Sequence, residues 1–334
     1  MLIAVLASLL LASITMQPRV LQRAHGGNRT RIGTFNCRTL LDDSRMLELD
    51  TALTDKGIDI CALQETRRDG FYTYKTDNYV VHYYGECSGK YGVGFAVHKR
   101  LEHLTSAPRG IPDSNGRLMT LNILLHDSHK PVTMICSYAP TSKAPAQVRN
   151  KFYTQLQRLV NPNVWLLGDL NARVGRRPSE SAAGIEAYNT VGPWSLKNDI
   201  SPNPNGMLLM NTVSEHNLRH VASHFRFRDS KRWTWRHPRY HSRALLDHVF
   251  IPATHMRFVA RCFVPSDFAI SSDHRPVVCE LNFRPRVAPK PSASPPMLNV
   301  HALNDDAIKA ALQSEVEHLI GNAKPDEVTF SAKP

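Results

Sequence analysis

The sequence contains no CxxC pair, although it has six cysteines, at 37, 61, 87, 136, 262 and 279. Cys61, Cys136 and Cys279 sit inside the apolar runs IDICAL, TMICSY and PVVCEL. That is how buried reduced thiols are used, not how a disulfide framework or a zinc site is built. Acidic residues are in deficit: 29 Asp+Glu face 41 Lys+Arg, for a formal charge of +12. The surplus suits a polyanionic partner, because each cation docked on a phosphate releases counterions. A soluble protein that is merely basic has the same balance, so charge alone decides nothing. Long apolar runs are missing as well. Residues 1–15 (MLIAVLASLLLASIT) are uncharged but too short to span a bilayer comfortably as a helix, and no membrane span is expected. They could form the core of a signal peptide, yet no basic residue precedes them and no clean cleavage site follows. A spurious upstream start, with Met16 as the true one, accounts for them equally well. The expected location is nuclear or cytoplasmic, with secretion the alternative if 1–15 is a signal peptide.

What is present is ordinary for a globular protein of 334 residues: 42% hydrophobic and 21% charged. From Arg31 onward the pattern is regular. IGTFN reads as a strand with a polar end. Residues 44–56 place Met46, Leu49 and Leu53 on one helical face, and Gly57 stops them. IDICALQE reads as a buried strand. YGVGFAVHK alternates through Tyr91, Val93, Phe95 and Val97, and RLMTLNILL through Met119, Leu121, Ile123 and Leu125. VTMICSYAP is a further strand, and 145–160 a helix with Val148, Phe152, Leu156 and Leu159 as its apolar stripe. NVWLLGDLN, a helix at 206–218, ALLDHVFI and PVVCEL follow. Mixed hairpin and crossover spacing predicts an α/β protein with mixed sheets. The expected organisation is an apolar leader at 1–28, a catalytic domain at 29–284, a Pro-rich linker at 285–298, and a tail at 299–334. That tail carries one short amphipathic helix through Ile308, Leu312, Val316, Leu319 and Ile320.

Polar residues close these strands: Asn36, Gln64-Glu65, Tyr138, Asp169 and Asn171, while Asp247 lies within ALLDHVFI and Asp273-His274 precedes PVVCEL. Asp or Asn after a strand is usually a turn former. Asp247 is different, because a carboxylate between apolar neighbours needs a partner. Several carboxylates at the ends of buried strands repel unless a cation joins them, and hard oxygen ligands suit Mg²⁺ or Mn²⁺.

Taken in order, TFN, LQE, SYAP, GDLN, LDHVFI and SDHRPV resemble the motif series of the endonuclease/exonuclease/phosphatase superfamily over residues 31–283. FNCRTL, GDLNARVG, NGMLLMNTVSEHNL and TWRHPRYHSRALLDHVFI bring the chain nearer to non-LTR retrotransposon endonucleases and to the craniofacial development protein-like proteins that look derived from them. The resemblance implies a four-layer sandwich of two packed mixed β-sheets flanked by helices, and metal-dependent nicking of DNA. Glu65, with Asn36 and Asp273, would hold Mg²⁺ or Mn²⁺. Asp169 would deprotonate a water oriented by Asn171, and His274, steadied by Asp247, would donate to the scissile phosphate, as would Tyr138. Arg38 stands where apurinic-site endonucleases carry an acidic residue, which argues against abasic-site repair. His248 stands where many relatives carry Tyr. Cations and aromatics interleave from Phe225 to Arg243. Lys231, Arg232, Trp233 and Arg236 are the candidate DNA contacts, with Trp235 read as the core residue; a basic loop over buried tryptophans is the alternative. DNA is the expected partner of a monomer with no small-molecule cofactor. Rival readings are a superfamily phosphatase or phosphodiesterase acting on inositol phosphate, lipid or RNA, and a non-catalytic retroelement remnant.

Overall fold

Runs that are apolar at every position, such as ICAL at 60–63, belong in strands covered on both faces. The computed structural model describes residues 29–124, 131–177, 189–282 and Ala310. The chain divides into two compact units, 1–287 and 288–334, and Ala310, in a helix, is the one residue described in the second. The expected leader, linker and tail helix lie outside the described residues, Ala310 apart.

The first sheet has seven strands: β1 (Thr30–Asn36), β2 (Ile60–Gln64), β3 (Gly70–Lys75), β4 (Tyr79–Gly85), β5 (Val93–His98), β14 (Val259–Phe263) and β15 (Val277–Leu281), in the order β14-β15-β1-β2-β5-β4-β3. The second has six: β6 (Thr105–Gly110), β7 (Leu118–Ile123), β8 (Val132–Tyr138), β9 (Val164–Asp169), β10 (Leu218–His220) and β13 (Asp247–Pro252), in the order β10-β13-β9-β8-β7-β6. β1–β2 and β8–β9 pair in parallel and the other pairs are antiparallel, so both sheets are mixed. A hairpin, β11 (Trp235–Arg236) and β12 (Arg243–Ala244), stands apart.

Alternation along each strand builds the layers. Ile60 and Ala62 meet Met119, Met134, Trp165, Val249 and Val277 between the sheets. Cys61 and Leu63, on the opposite face, pack with Met46, Leu49 and Leu53 of α1 (Asp43–Lys56). On the outer face of the second sheet, Ile135, Leu166 and Phe250 pack with Phe152 and Leu156 of α2 (Ala146–Leu159) and with Leu209 and Val213 of α3 (Pro204–Ser214). The result is the expected four-layer sandwich. Gly57, at φ 59, ends α1 by donating its N–H to Leu53 O and Thr54 O. Three sequence expectations shift. Val148 is 44% exposed, and Tyr153 takes its place in the stripe. Tyr91, at φ 57, precedes β5 instead of joining it. The helix expected over 206–218 ends at Ser214, because Leu218–His220 pairs with Pro252–Phe250 as an edge strand.

Candidate active site

The site forms where the ends of the two sheets face each other. Asn36, the last residue of β1, is in register with Gln64 at the end of β2, and the chain turns at Glu65 with φ 55. In the other sheet Tyr138 pairs with Asp169, and Asp169 with Asp247. Residues in register share a sheet face, so three distant segments deliver a hydroxyl and two carboxylates side by side. His274 arrives from the loop before β15, where it bridges Trp235 of β11.

Hydrogen bonds join these residues across the two sheets. Asn36 Nδ2 donates to Glu65 Oε1 and to Asp169 Oδ2, both at 2.9 Å. Tyr138 OH donates to the same Glu65 oxygen at 2.9 Å, and Arg67 pairs with Glu65 Oε2 at 3.1 Å. His274 Nδ1 lies 2.8 Å from Asp247 Oδ2, and its Nε2 lies 3.8 Å from Asp169 Oδ2, an ion-pair separation and not a hydrogen bond. The Asn171 N–H reaches Asp169 Oδ1 at 3.0 Å from a left-handed residue, φ 46, a conformation asparagine tolerates.

Burial sets the electrostatics. Asp169, 2% exposed, is raised to about 7, chiefly by desolvation; His274 pulls it down and Asp247 pushes it up. Desolvation alone would lower His274, but Asp247 and Asp169 outweigh it and hold the ring protonated up to about 10. Tyr138 is raised by burial, then by Glu65 and Asp169, so it stays a phenol. One ligand atom each from Asp169, Asp247 and His274 falls within 4.8 Å of the others; with the His274 ring protonated, the two carboxylates are the members of that group with lone pairs to offer a cation. Asp247 Oδ1 is buried and has no hydrogen-bond partner among the described residues.

Of the residues expected at the site, the structure brings together Asn36, Glu65, Tyr138, Asp169, Asn171, Asp247 and His274. Two of the three expected metal ligands have other work. Asn36 turns its amide nitrogen to both carboxylates, and its Oδ1 takes the Arg38 N–H at 3.0 Å. Asp273 Oδ2 accepts the Trp235 indole N–H at 3.0 Å. Lys231 and Arg236 are exposed, as phosphate contacts must be. Arg232 is not: it is 1% exposed, and its guanidinium donates to the carbonyls of Trp194, Ala222, Phe225 and Phe227. That corrects its reading as a phosphate contact. Trp233, 6% exposed beneath Arg275 and Arg243, is the buried tryptophan, and Trp235 is half-buried, the reverse of the burial expected of them.

Sequence reasoning missed the supports. Ser272 Oγ donates to Asn36 O at 2.8 Å and accepts the His274 N–H at 3.1 Å, tying the last motif to the first. Its only signal was its place beside Asp273. Thr234 Oγ1 accepts the N–H groups of Leu246 and Asp247, and nothing in the sequence marks it.

A family model for the endonuclease/exonuclease/phosphatase family matches residues 33–274. A search of curated proteins gave no match. Among solved structures, the AP endonuclease LMAP from Leishmania major aligns with 76% of this chain and 88% of its own at 14% identity and a TM-score of 0.54. An AP endonuclease from Archaeoglobus fulgidus aligns with 76% of this chain and 99% of its own at 18% identity and a TM-score of 0.52. The endonuclease domain of TRAS1, a telomere-specific non-LTR retrotransposon, aligns with 77% of this chain and 100% of its own at 16% identity, with a TM-score of 0.48. At these identities the likeness to the two AP endonucleases speaks for the fold alone, while the family match spans most of the chain. The chain belongs to the endonuclease/exonuclease/phosphatase family.

Proposed function

We propose that this protein is a divalent-metal-dependent DNA endonuclease of the retroelement nicking type. The observation that carries the reading is the single network, partly to fully buried, joining Asn36, Glu65, Tyr138, Asp169, Asp247 and His274 across both sheets. The residues fit Mg²⁺ or Mn²⁺. Glu65 offers a partly exposed carboxylate, and Asp247 Oδ1, buried and without a partner among the described residues, is the kind of atom a cation relieves. Asn36 and Asp273 would serve as ligands only by giving up their present partners. When bound, the ion supplies charge neutralisation at a phosphate oxygen and at the leaving 3′ oxygen.

The chain's own residues do the rest by positioning and charge. Asp169, raised to about 7, accepts the proton of the attacking water, with its carboxylate fixed by Asn36 and by the turn at Asn171. His274, protonated at neutral pH and held by Asp247, donates from Nε2 to the scissile phosphate. Tyr138 keeps its proton and supplies a second donor. No covalent intermediate is required.

DNA as substrate rests on the +12 charge and on the β11–β12 hairpin. Its first strand bridges His274 directly and carries exposed Arg236, with exposed Lys231 just before it. Cations placed there would meet phosphates flanking the scissile bond. Incubating supercoiled plasmid with wild type, Asp169→Ala and His274→Ala in Mg²⁺ tests the reading. Wild type should nick, and each variant should lose at least about 100-fold while binding DNA and melting normally. Full nicking by both variants ends the assignment, and phosphate release from inositol phosphates without nicking moves it to a phosphatase.

A further inference from the structure

β13 carries Asp247 on the active-site face, so the next residue, His248, faces the other side of the sheet. It is fully buried. Its Nε2 lies 2.8 Å from Ala172 O and its Nδ1 3.0 Å from His220 Nε2. A carbonyl oxygen only accepts, so His248 Nε2 carries a proton. Both rings are buried, and among the described residues neither bonds a carboxylate, so a charge on either is disfavoured and both are neutral. His248 Nδ1 is therefore bare and accepts from His220 Nε2–H. His220 Nδ1 is the bare end of this pair, buried with no partner among the described residues. One carbonyl thus fixes the tautomer of two rings.

That carbonyl belongs to the turn leaving β9. There the Asn171 N–H holds Asp169 Oδ1, and Asn171 Nδ2 donates to Ala139 O at 3.0 Å, next to Tyr138. Asn203 and Asn205 hold Asn171 O from the other side, at 3.1 and 3.2 Å. The peptides at 171 and 172 are gripped from α3 and from β13 at once.

We propose that His248, oriented by His220, is a positioning residue that locks the turn carrying Asn171 against the strand carrying Asp247. The role rests on the hydrolysis reading above. Through it the water-activating and phosphate-donating halves of the site move as one body. A pair that merely fills space needs shape only. This one also satisfies a carbonyl and fixes a proton's place on each ring.

The test uses the full chain with His248→Phe, His248→Gln and His220→Phe, measuring kcat and KM for plasmid nicking and the Tm of each. Glutamine can still donate to Ala172 O and accept from His220; phenylalanine can do neither. With a displaced turn, His248→Phe should lose about 10–100-fold in kcat with KM within about twofold. His248→Gln should recover to within about threefold of wild type. If His248→Phe does not fold, His220→Phe carries the comparison: lowered kcat with unchanged KM supports the proposal, and wild-type kcat overturns it. Wild-type kcat in His248→Phe with only a lower Tm makes the pair packing and nothing more. Histidine side-chain nitrogen NMR separates the two readings. Proton-bearing Nε2 and bare Nδ1 on both rings in a protein that does not nick leave the tautomer chain standing and remove the hydrolysis reading. A doubly protonated ring at neutral pH in a protein that nicks removes the inference alone.

Discussion

His274 sits between two carboxylates, and that placement sets how the site responds to pH. Asp169 must lose its proton to act as base, so activity should climb as pH rises through about 7. His274 must keep its proton to donate, so activity should fall as pH rises through about 10. Asp247→Asn keeps an acceptor for His274 Nδ1 but removes the charge that raises the ring. Its basic limb should therefore move toward neutrality, with kcat at pH 7.5 down by about 100-fold or more. A basic limb unchanged in that variant, measured by initial nicking rates across pH, would contradict the pairing. The chemical types of these residues could be read from the sequence because each closes or interrupts an apolar strand. Ser272 and Thr234 could not, since their hydroxyls act on backbone groups that only the folded loops bring near.

At the scale of elements, the loop before β11 and the strand β9 make opposite demands. Arg232 is internal scaffold, and replacing it with methionine strands buried carbonyls, at a cost of about 3–5 kcal/mol in urea unfolding. Lys231→Ala and Arg236→Ala should leave unfolding unchanged. Each should instead lower the slope of log K against log salt for DNA binding by about 1. The reverse pattern, with Arg232 altering only binding, would return it to the DNA face. In β9, a Cβ at Gly168 would run into Ser137 O of the neighbouring strand. Gly168→Ala should therefore force β8 and β9 apart beside Tyr138 and Asp169, destabilising by about 1–3 kcal/mol. Periodicity located α1, α2 and most of the inner strands. It missed β3, an aromatic-rich strand largely exposed at the sheet edge, and its mostly buried neighbour β4, and it overran α3, because a three-residue edge strand leaves almost no periodic trace.

Across the whole molecule, two sheets meet so that strand ends far apart in sequence converge, with the basic hairpin beside them. That convergence was inferred from motif order, since strand adjacency such as Tyr138–Asp169–Asp247 is long-range and invisible to local pattern. Among the described residues, no helix is long and apolar enough to cross a membrane. The central claim is that this convergence makes one metal-dependent site for phosphodiester hydrolysis. The most direct test converts supercoiled plasmid with the purified chain in Mg²⁺, then in excess EDTA, then after Mg²⁺ is restored. Open-circle product should form, stop and resume, while nicking that continues unchanged in EDTA would contradict the account.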